Sequence, residues 1–314
     1  MKIIICGATG FIGRNLLEYF SNEEHEIIAI FNKKEPINMP KKNVKWVKAD
    51  LRIPNILRDY LPNTDLFLQF AATTSGAKDI TKRPYIHVTD NAVMNSYLLR
   101  ECFEAKVKHF IFPSCTVMLQ SKEFQNEDDW DPNNEINKNY FGVGNTKVYI
   151  EKMCKFYSEL GLKTTAIRHS NVFGPYDKFD LEKSHVLGAT IRKVINAKEE
   201  DDINVWGSGK ARRDFIYIND LISFIVHAHK NQEKLFGLFN CGMGYSLSIN
   251  ELVEKIIFVS NKNLNLKNDL SKPDIPTALS LDCSKAKKEI KWVNSSDFNT
   301  ALKETYEWAI KNYG

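Results

Sequence analysis

Along the first two-thirds of the chain, short apolar runs alternate with longer stretches whose apolar residues recur every three or four positions. Lys2–Ile5, Glu26–Phe31, Val44–Lys48, Leu66–Phe70, His109–Phe112 and Lys163–Arg168 read as strands. Helical spacing covers about Ile12–Ser21, Pro54–Tyr60, Val88–Glu104 and Thr146–Glu159. This alternation predicts an α/β fold, a doubly wound parallel sheet covered by helices on both faces. From about Asn171 the chain alternates between completing that sheet and building a smaller α/β lobe. There His185–Ala197 reads as a helix, Val205–Gly209 as a strand entering a turn, and Phe298–Tyr313 as an amphipathic packing helix. The expected division is residues 1–170 for the sheet domain and 171–314 mainly for the lobe, with some segments returning to the sheet.

Composition narrows the class. The 314 residues are 43% hydrophobic and 26% charged, a globular profile with length for one large or two medium domains. A net charge of +4, with basic runs no longer than Lys33-Lys34 or Lys287-Lys288, points away from a nucleic-acid partner. The six cysteines are scattered without CxxC spacing, so neither a metal site nor a disulfide framework is expected. Buried free thiols suit a reducing compartment. The apolar run in MKIIICGATG is too short for a signal peptide or membrane span and reads as a first strand. The expectation is a cytoplasmic protein with no membrane partner.

The first strand ends in Gly7-Ala8-Thr9-Gly10-Phe11-Ile12-Gly13 and then opens a helix. Glycines so spaced allow a tight turn, close backbone approach to a pyrophosphate, and close helix packing. Phosphate then meets the free N–H groups and positive end of the helix. A Rossmann-type dinucleotide site follows, with Gly7, Thr9, Gly10, Phe11, Ile12 and Gly13 at the cofactor. The second strand ends in Phe31-Asn32-Lys33-Lys34, with no acid before Glu35. Asn32 and Lys33 would attract a 2′-phosphate, which favours NADP, with NAD as the alternative. Asp50 and Leu51, ending the third strand, are expected at the adenine edge.

These residues resemble the extended short-chain dehydrogenase/reductase family over almost the whole chain. The resemblance adds Ala71 and Ala72 after the fourth strand, Asn91 in the next helix, Ser114, Lys147, and Asn171-Val172-Phe173-Gly174-Pro175. "DKFDLEKSHV", "VWGSGKARRDFIYINDL" and "SKPD" look like the GDP-L-fucose synthase group within that family. The resemblance implies a nucleotide-sugar substrate, GDP-linked in first place, and a homodimer paired through Val88–Glu104 and Thr146–Glu159. Phe103, Tyr149, Met153 and Phe156 would supply that face, although core packing explains them equally well.

In such enzymes a tyrosine exchanges a proton with the sugar oxygen. A lysine holds the nicotinamide ribose and lowers the tyrosine pKa, and a serine bonds the same oxygen. Ser114 and Lys147 map onto the family serine and lysine. The tyrosine position falls on Val143 in "NYFGVGNTKVYIE". Tyr140 replaces the phenol if the chain near Gly142 and Gly144 is irregular. Tyr149 points about 200° away from Lys147 on a helix and is discounted. Thr116 and Cys115, beside Ser114, are the other candidates. The GDP-L-fucose synthase group also uses a histidine, which matches His185, and a cysteine whose position falls on Thr116.

In the lobe, Arg213 maps onto an arginine that meets the substrate pyrophosphate, a task suited to a guanidinium. Asn171, Arg192, Trp206, Lys272 and Asp274 are further candidates for contacts to sugar, phosphate or base. The expected function is an NAD(P)-dependent nucleotide-sugar reductase or epimerase, acting on a GDP-4-keto-6-deoxy sugar by C4 reduction, epimerisation or both. Two alternatives stand beside it: a catalytically altered nucleotide-sugar-binding homologue serving as sensor or scaffold, and a nucleotide-sugar dehydratase.

Overall fold

The computed structural model describes residues 1–40, 42–73, 83–133, 136–181, 184–272 and 277–314. The N-terminal half runs β1 (Lys2–Cys6), α1 (Phe11–Ser21), β2 (Glu26–Phe31), β3 (Val44–Lys48), β4 (Leu66–Gln69), α2 (Thr89–Glu104), β5 (Phe110–Pro113) and β6 (Lys122–Gln125). It continues through α3 (Phe141–Glu159), β7 (Thr164–His169), β8 (Asn171–Phe173), α4 (Val186–Asn196), β9 (Asp202–Trp206), β10 (Arg212–Tyr217) and α5 (Ile218–Asn231). The remainder is β11 (Phe236–Cys241), β12 (Ser246–Ser248), α6 (Ile249–Ser260), β13 (Asn265–Asp269), β14 (Leu279–Leu281), α7 (Ser284–Ile290) and α8 (Phe298–Tyr313).

Seven parallel strands form the main sheet in the order β11-β7-β5-β4-β1-β2-β3. Strand β11 comes from the second half of the chain and completes the sheet beside β7. Side chains of one strand alternate between two cores. Ile3 and Ile5 of β1 pack with Leu16 and Leu17 of α1 and Phe224 of α5. Ile4 and Cys6 face the other way, toward Met94 and Leu98 of α2 and Ile150 and Cys154 of α3. Period-two alternation explains this sorting, and burial on both faces explains why β1 is apolar throughout. The chain runs from β1 outward in both directions, so the topological switch point lies between β1 and β4. In open α/β sheets, the crevice beyond the strand ends at that point is where ligands bind.

The lobe is built on β12-β10-β8 and on the pairs β13-β9 and β14-β6. Strand β8 pairs in parallel with β10, Asn171 opposite Phe215, and so carries the chain from the end of β7 into the lobe.

Two elements differ from the sequence expectation. Residues 54–60 form successive turns instead of a helix. Asn55 adopts a left-handed φ of 59°, which no right-handed helix can pass through, and its N–H donates to Glu101 Oε1 at 2.6 Å. Helix α3 begins at Phe141, five residues before the expected Thr146, and takes in both glycines. A Cβ on Gly142 would lie 2.9 Å from Val88 Cγ2, and one on Gly144 3.1 Å from Ile136 Cγ2. These glycines serve close packing of a regular helix, so the irregular backbone that would have let Tyr140 replace the phenol is absent.

Candidate active site

The turn after β1 is shaped for a close visitor. Gly7 has φ +71°, and a Cβ there would lie 2.6 Å from the Phe70 carbonyl oxygen and 2.8 Å from Ala71. A Cβ on Gly13 would lie 2.2 Å from Gly7 O, so α1 sits directly on the turn. Gly10 caps α1 without a side-chain hydrogen bond, and no acidic residue occupies the first turn. The leading N–H groups of the helix and its positive end are thus left for an anion. Thr9 is buried and Phe11 and Ile12 are half-buried beside it. These residues fit a dinucleotide pyrophosphate.

At the ends of the next strands, Asn32, Lys33 and Lys34 are exposed. The first acid after them, Glu35, is paired with Lys48 at 2.9 Å. Asp50 accepts from Arg52 Nη2 at 2.6 Å, and Arg52 reaches Asp90 at 3.1 Å. The Arg52 hydrogen bond, helped by the charge of Lys33, holds the Asp50 carboxyl down at about 2. Leu51 is buried in the core, so only its backbone faces outward. Asn91 acts as a clamp: its Oδ1 accepts from Thr73 N at 2.9 Å, and its Nδ2 donates to the Thr73 and His87 carbonyls. It thereby fixes the segment that carries Ala71 and Ala72 past the end of β4.

Ser114 is fully buried, and its hydroxyl donates to Glu151 Oε1 at 2.5 Å. Glu151 also accepts from Arg168 Nε at 3.1 Å and Nη2 at 2.8 Å, and Arg168 donates onward to the Glu127 carbonyl. The serine expected at the reacting oxygen is therefore engaged in a buried ionic network beneath the site.

Lys147 donates from Nζ to the Pro113 carbonyl at 2.7 Å and lies 4.6 Å from the centroid of the Phe112 ring. Burial lowers its pKa, opposed by nearby Cys115 and Glu151. Cys115 is half-buried; burial raises its pKa, while Lys147 and the Val117 N–H work against that rise. Thr116 is half-buried next to it.

Val143 stands one turn before Lys147. Tyr140 is the N-cap residue of α3. Seven residues bring it back to nearly the same side of the helix as Lys147, about 10 Å farther along the axis. It lies near Arg213, whose guanidinium is lowered by burial and raised in turn by that phenol. The tyrosine thus marks the phosphate end of the expected substrate path. Tyr149 points to the opposite side, where its hydroxyl meets Ser96 of α2 at 3.0 Å.

Arg213 Nη1 is held by the Arg212 carbonyl at 2.8 Å and by Thr277. Arg212 is consumed by structure, bonding Ser246 and Glu251. Asn171 donates to the Asp214 carbonyl at 2.9 Å, joining β8 to β10. Trp206 is 66% exposed, and Lys272 Nζ stands 5.9 Å from its ring centroid, so this tryptophan is a surface platform. Arg192 is turned elsewhere: its guanidinium donates to the Tyr313 carbonyl and lies over that ring. His185 caps α4 through its backbone; its ring pKa is lowered by its packed surroundings and by Lys178. Asp274 lies outside the described residues.

With this geometry in place, comparison with known proteins is decisive at the family level. The sequence profile described as "NAD dependent epimerase/dehydratase family" matches residues 3–242. The chain belongs to that family. Among curated relatives, the GDP-L-colitose synthase of Yersinia pseudotuberculosis is 25% identical over 317 residues, covering 99% of this chain and 98% of its own. The GDP-L-fucose synthase of Sinorhizobium fredii is 25% identical over 321 residues, covering 99% and 96%. Among solved structures, a UDP-glucose 4-epimerase from Thermotoga maritima superposes with a TM-score of 0.84 at 22% identity over the full length of both chains. At that identity the likeness establishes the fold.

Two features of this family member escape a reading by motif. The Ser114–Glu151–Arg168 network joins residues from β5, α3 and β7, which only the fold brings together. His169, the last residue of β7, carries no spacing signal, yet it is half-buried at the strand end where Lys147 and His185 both act on it. A histidine directly before the Ser170-Asn171 link to the lobe was the one available hint.

Proposed function

We propose that the protein is an NAD(P)-dependent nucleotide-sugar oxidoreductase or epimerase, acting on a GDP-linked 4-keto-6-deoxy sugar. The observation that carries the reading is the placing of Lys147, tethered at Pro113 O, at the same strand-end crevice as the uncapped α1 N-terminus. Gly7, Gly10 and Gly13 would hold the pyrophosphate, Asn32 and Lys33 the adenosine phosphate of NADP, and Lys147 the nicotinamide ribose. Bound there, the dinucleotide supplies or takes up hydride. Arg213 and Tyr140 would meet the sugar-nucleotide phosphates, with the Trp206 ring and Lys272 offered to the base. The GDP preference leans on the curated relatives, whose names are those of GDP-sugar synthases.

The exposed aromatic face of α2 and α3, where Tyr149 and Phe156 stand 40% and 48% open, supports a homodimer paired through these helices. Among the described residues, no helix is long and apolar enough to cross a membrane.

A second reading, a binding protein without turnover, draws on Val143 and on the engagement of Ser114 with Glu151. Titrating the purified protein with NADPH, NADH, GDP-sugars and UDP-sugars, followed by product analysis, separates the two. Conversion of a 4-keto sugar supports the enzyme. Binding of both ligands with no conversion across the panel leaves the sensor or scaffold.

A further inference from the structure

Resting on the oxidoreductase reading, the geometry points to His169 as the proton acceptor and donor at the sugar oxygen, the task for which Val143 is unfit. His169 closes β7, and two residues earlier Ile167 pairs with Pro113. Pro113 is the residue whose carbonyl tethers Lys147. Along a strand, two residues advance about 6.6 Å and return the side chain to the same face. The His169 backbone therefore lies just beyond the strand position that faces the lysine tether, at the carboxyl end of the sheet where ligands enter, and Lys147 is near enough for its charge to act on the ring.

The orientation of the ring is fixed from one side. Nδ1 lies 2.8 Å from the Ser170 carbonyl oxygen. A carbonyl only accepts, so Nδ1 carries the proton and Nε2 keeps its lone pair. Ser170 is itself anchored, its N–H donating to Cys241 O at 2.9 Å. Half-burial leaves the ring an open side, and Nε2 has no protein partner among the described residues. Burial and the charges of Lys147 and His185 hold the imidazole down at about 4, which keeps it neutral near neutrality.

In the oxidative direction, Nε2 takes the hydroxyl proton of the sugar carbinol. The carbon-bound hydrogen leaves with its electron pair as hydride to the dinucleotide, giving the keto sugar and a protonated His169. In the reductive direction Nε2 first takes up a proton from solvent, and the imidazolium so formed gives it to the oxygen as the carbonyl carbon gains hydride. The charge of Lys147 opposes the imidazolium, which favours prompt return of the proton.

The test compares wild type with His169→Asn, whose amide can still donate to Ser170 O, by turnover, cofactor titration and chemical labelling. Diethyl pyrocarbonate attacks accessible, unprotonated imidazole nitrogens. His169 in the wild type is expected to be carbethoxylated in the free protein and protected once NADP and a GDP-sugar are bound. His169→Asn is expected to lose about 100-fold or more in turnover, the lower range for a positioned acid–base group, with cofactor affinity kept. Equal turnover in wild type and His169→Asn would overturn the assignment while leaving the oxidoreductase reading intact. So would labelling that both ligands together fail to suppress, or a His169→Asn protein that no longer binds cofactor. A wild type that binds both ligands and converts nothing would remove the reading and the assignment together.

Discussion

The Ser114 hydroxyl donates to Glu151 Oε1 at 2.5 Å, and the same carboxylate carries Arg168 on its other side. All three side chains are buried. A charge so enclosed depends on its partner, because losing one member strands the other in a dry interior. Glu151→Gln is expected to cost about 3–5 kcal/mol, while Ser114→Ala, which leaves the ion pair intact, costs about 1–2 kcal/mol. Urea unfolding of both variants checks this order. A Ser114→Ala protein as unstable as Glu151→Gln would contradict it.

Lys147 reaches the Pro113 carbonyl and lies over the Phe112 ring. Lys147→Ala should fold normally and bind NADP roughly 10- to 100-fold more weakly, the loss of one charged hydrogen bond. Fluorescence titration with the cofactor measures it. Unchanged affinity would take Lys147 away from the ribose.

Lys33 is exposed at the end of β2, and Glu35, the one acid near it in sequence, is occupied by Lys48. Lys33→Ala is expected to weaken NADPH binding about 10-fold and to leave NADH binding unchanged, since only NADPH brings the phosphate. Equal effects on the two cofactors would assign Lys33 to the general surface.

The rings of His109 and His229 meet with their Nδ1 atoms 3.2 Å apart, and His109 Nε2 lies 2.7 Å from Thr165 Oγ1. Burial holds His109 well below its ordinary value of 6.5, with the charges of Lys163 and His229 adding to the effect. The fold keeps the ring neutral while the unfolded chain protonates it. Its contribution to stability is thus whole above pH 6.5 and is lost as pH falls below that value. Asp214 runs the other way: burial raises it to about 7, so its contribution is lost as pH rises through that value. Comparing wild type with His109→Gln isolates the histidine. The stability difference between them should fall by about 1 kcal/mol per pH unit below the imidazole range. A flat difference would contradict the assignment of a neutral buried His109.

The parts of this protein legible in its sequence are those written in local pattern. Strands β1 to β3 and the glycine turn follow from apolar runs and from Gly7, Gly10 and Gly13 within a few residues of one another. Residues 54–60 misled because helical spacing says nothing of a left-handed Asn55. The glycines of α3 misled in the opposite sense: Gly142 and Gly144 suggest a loose backbone, but Val88 and Ile136 press on them from across the fold. Tertiary contact also hid the state of the site. Nothing near Ser114 in sequence reveals that its hydroxyl belongs to Glu151, or that Arg192 is held by Tyr313. His169 matched no motif, and only the pairing of β5 with β7 sets it beside the lysine tether.

The claim that this family member still performs hydride chemistry, despite Val143, is tested most directly by following label. The protein is incubated with NADPH deuterated at the nicotinamide C4 and a GDP-4-keto-6-deoxy sugar, and the sugar is examined by mass and NMR. The account predicts deuterium on the sugar carbon that bore the carbonyl, with matching loss from the cofactor. A sugar and a cofactor that both bind and both keep their original isotopes would contradict it.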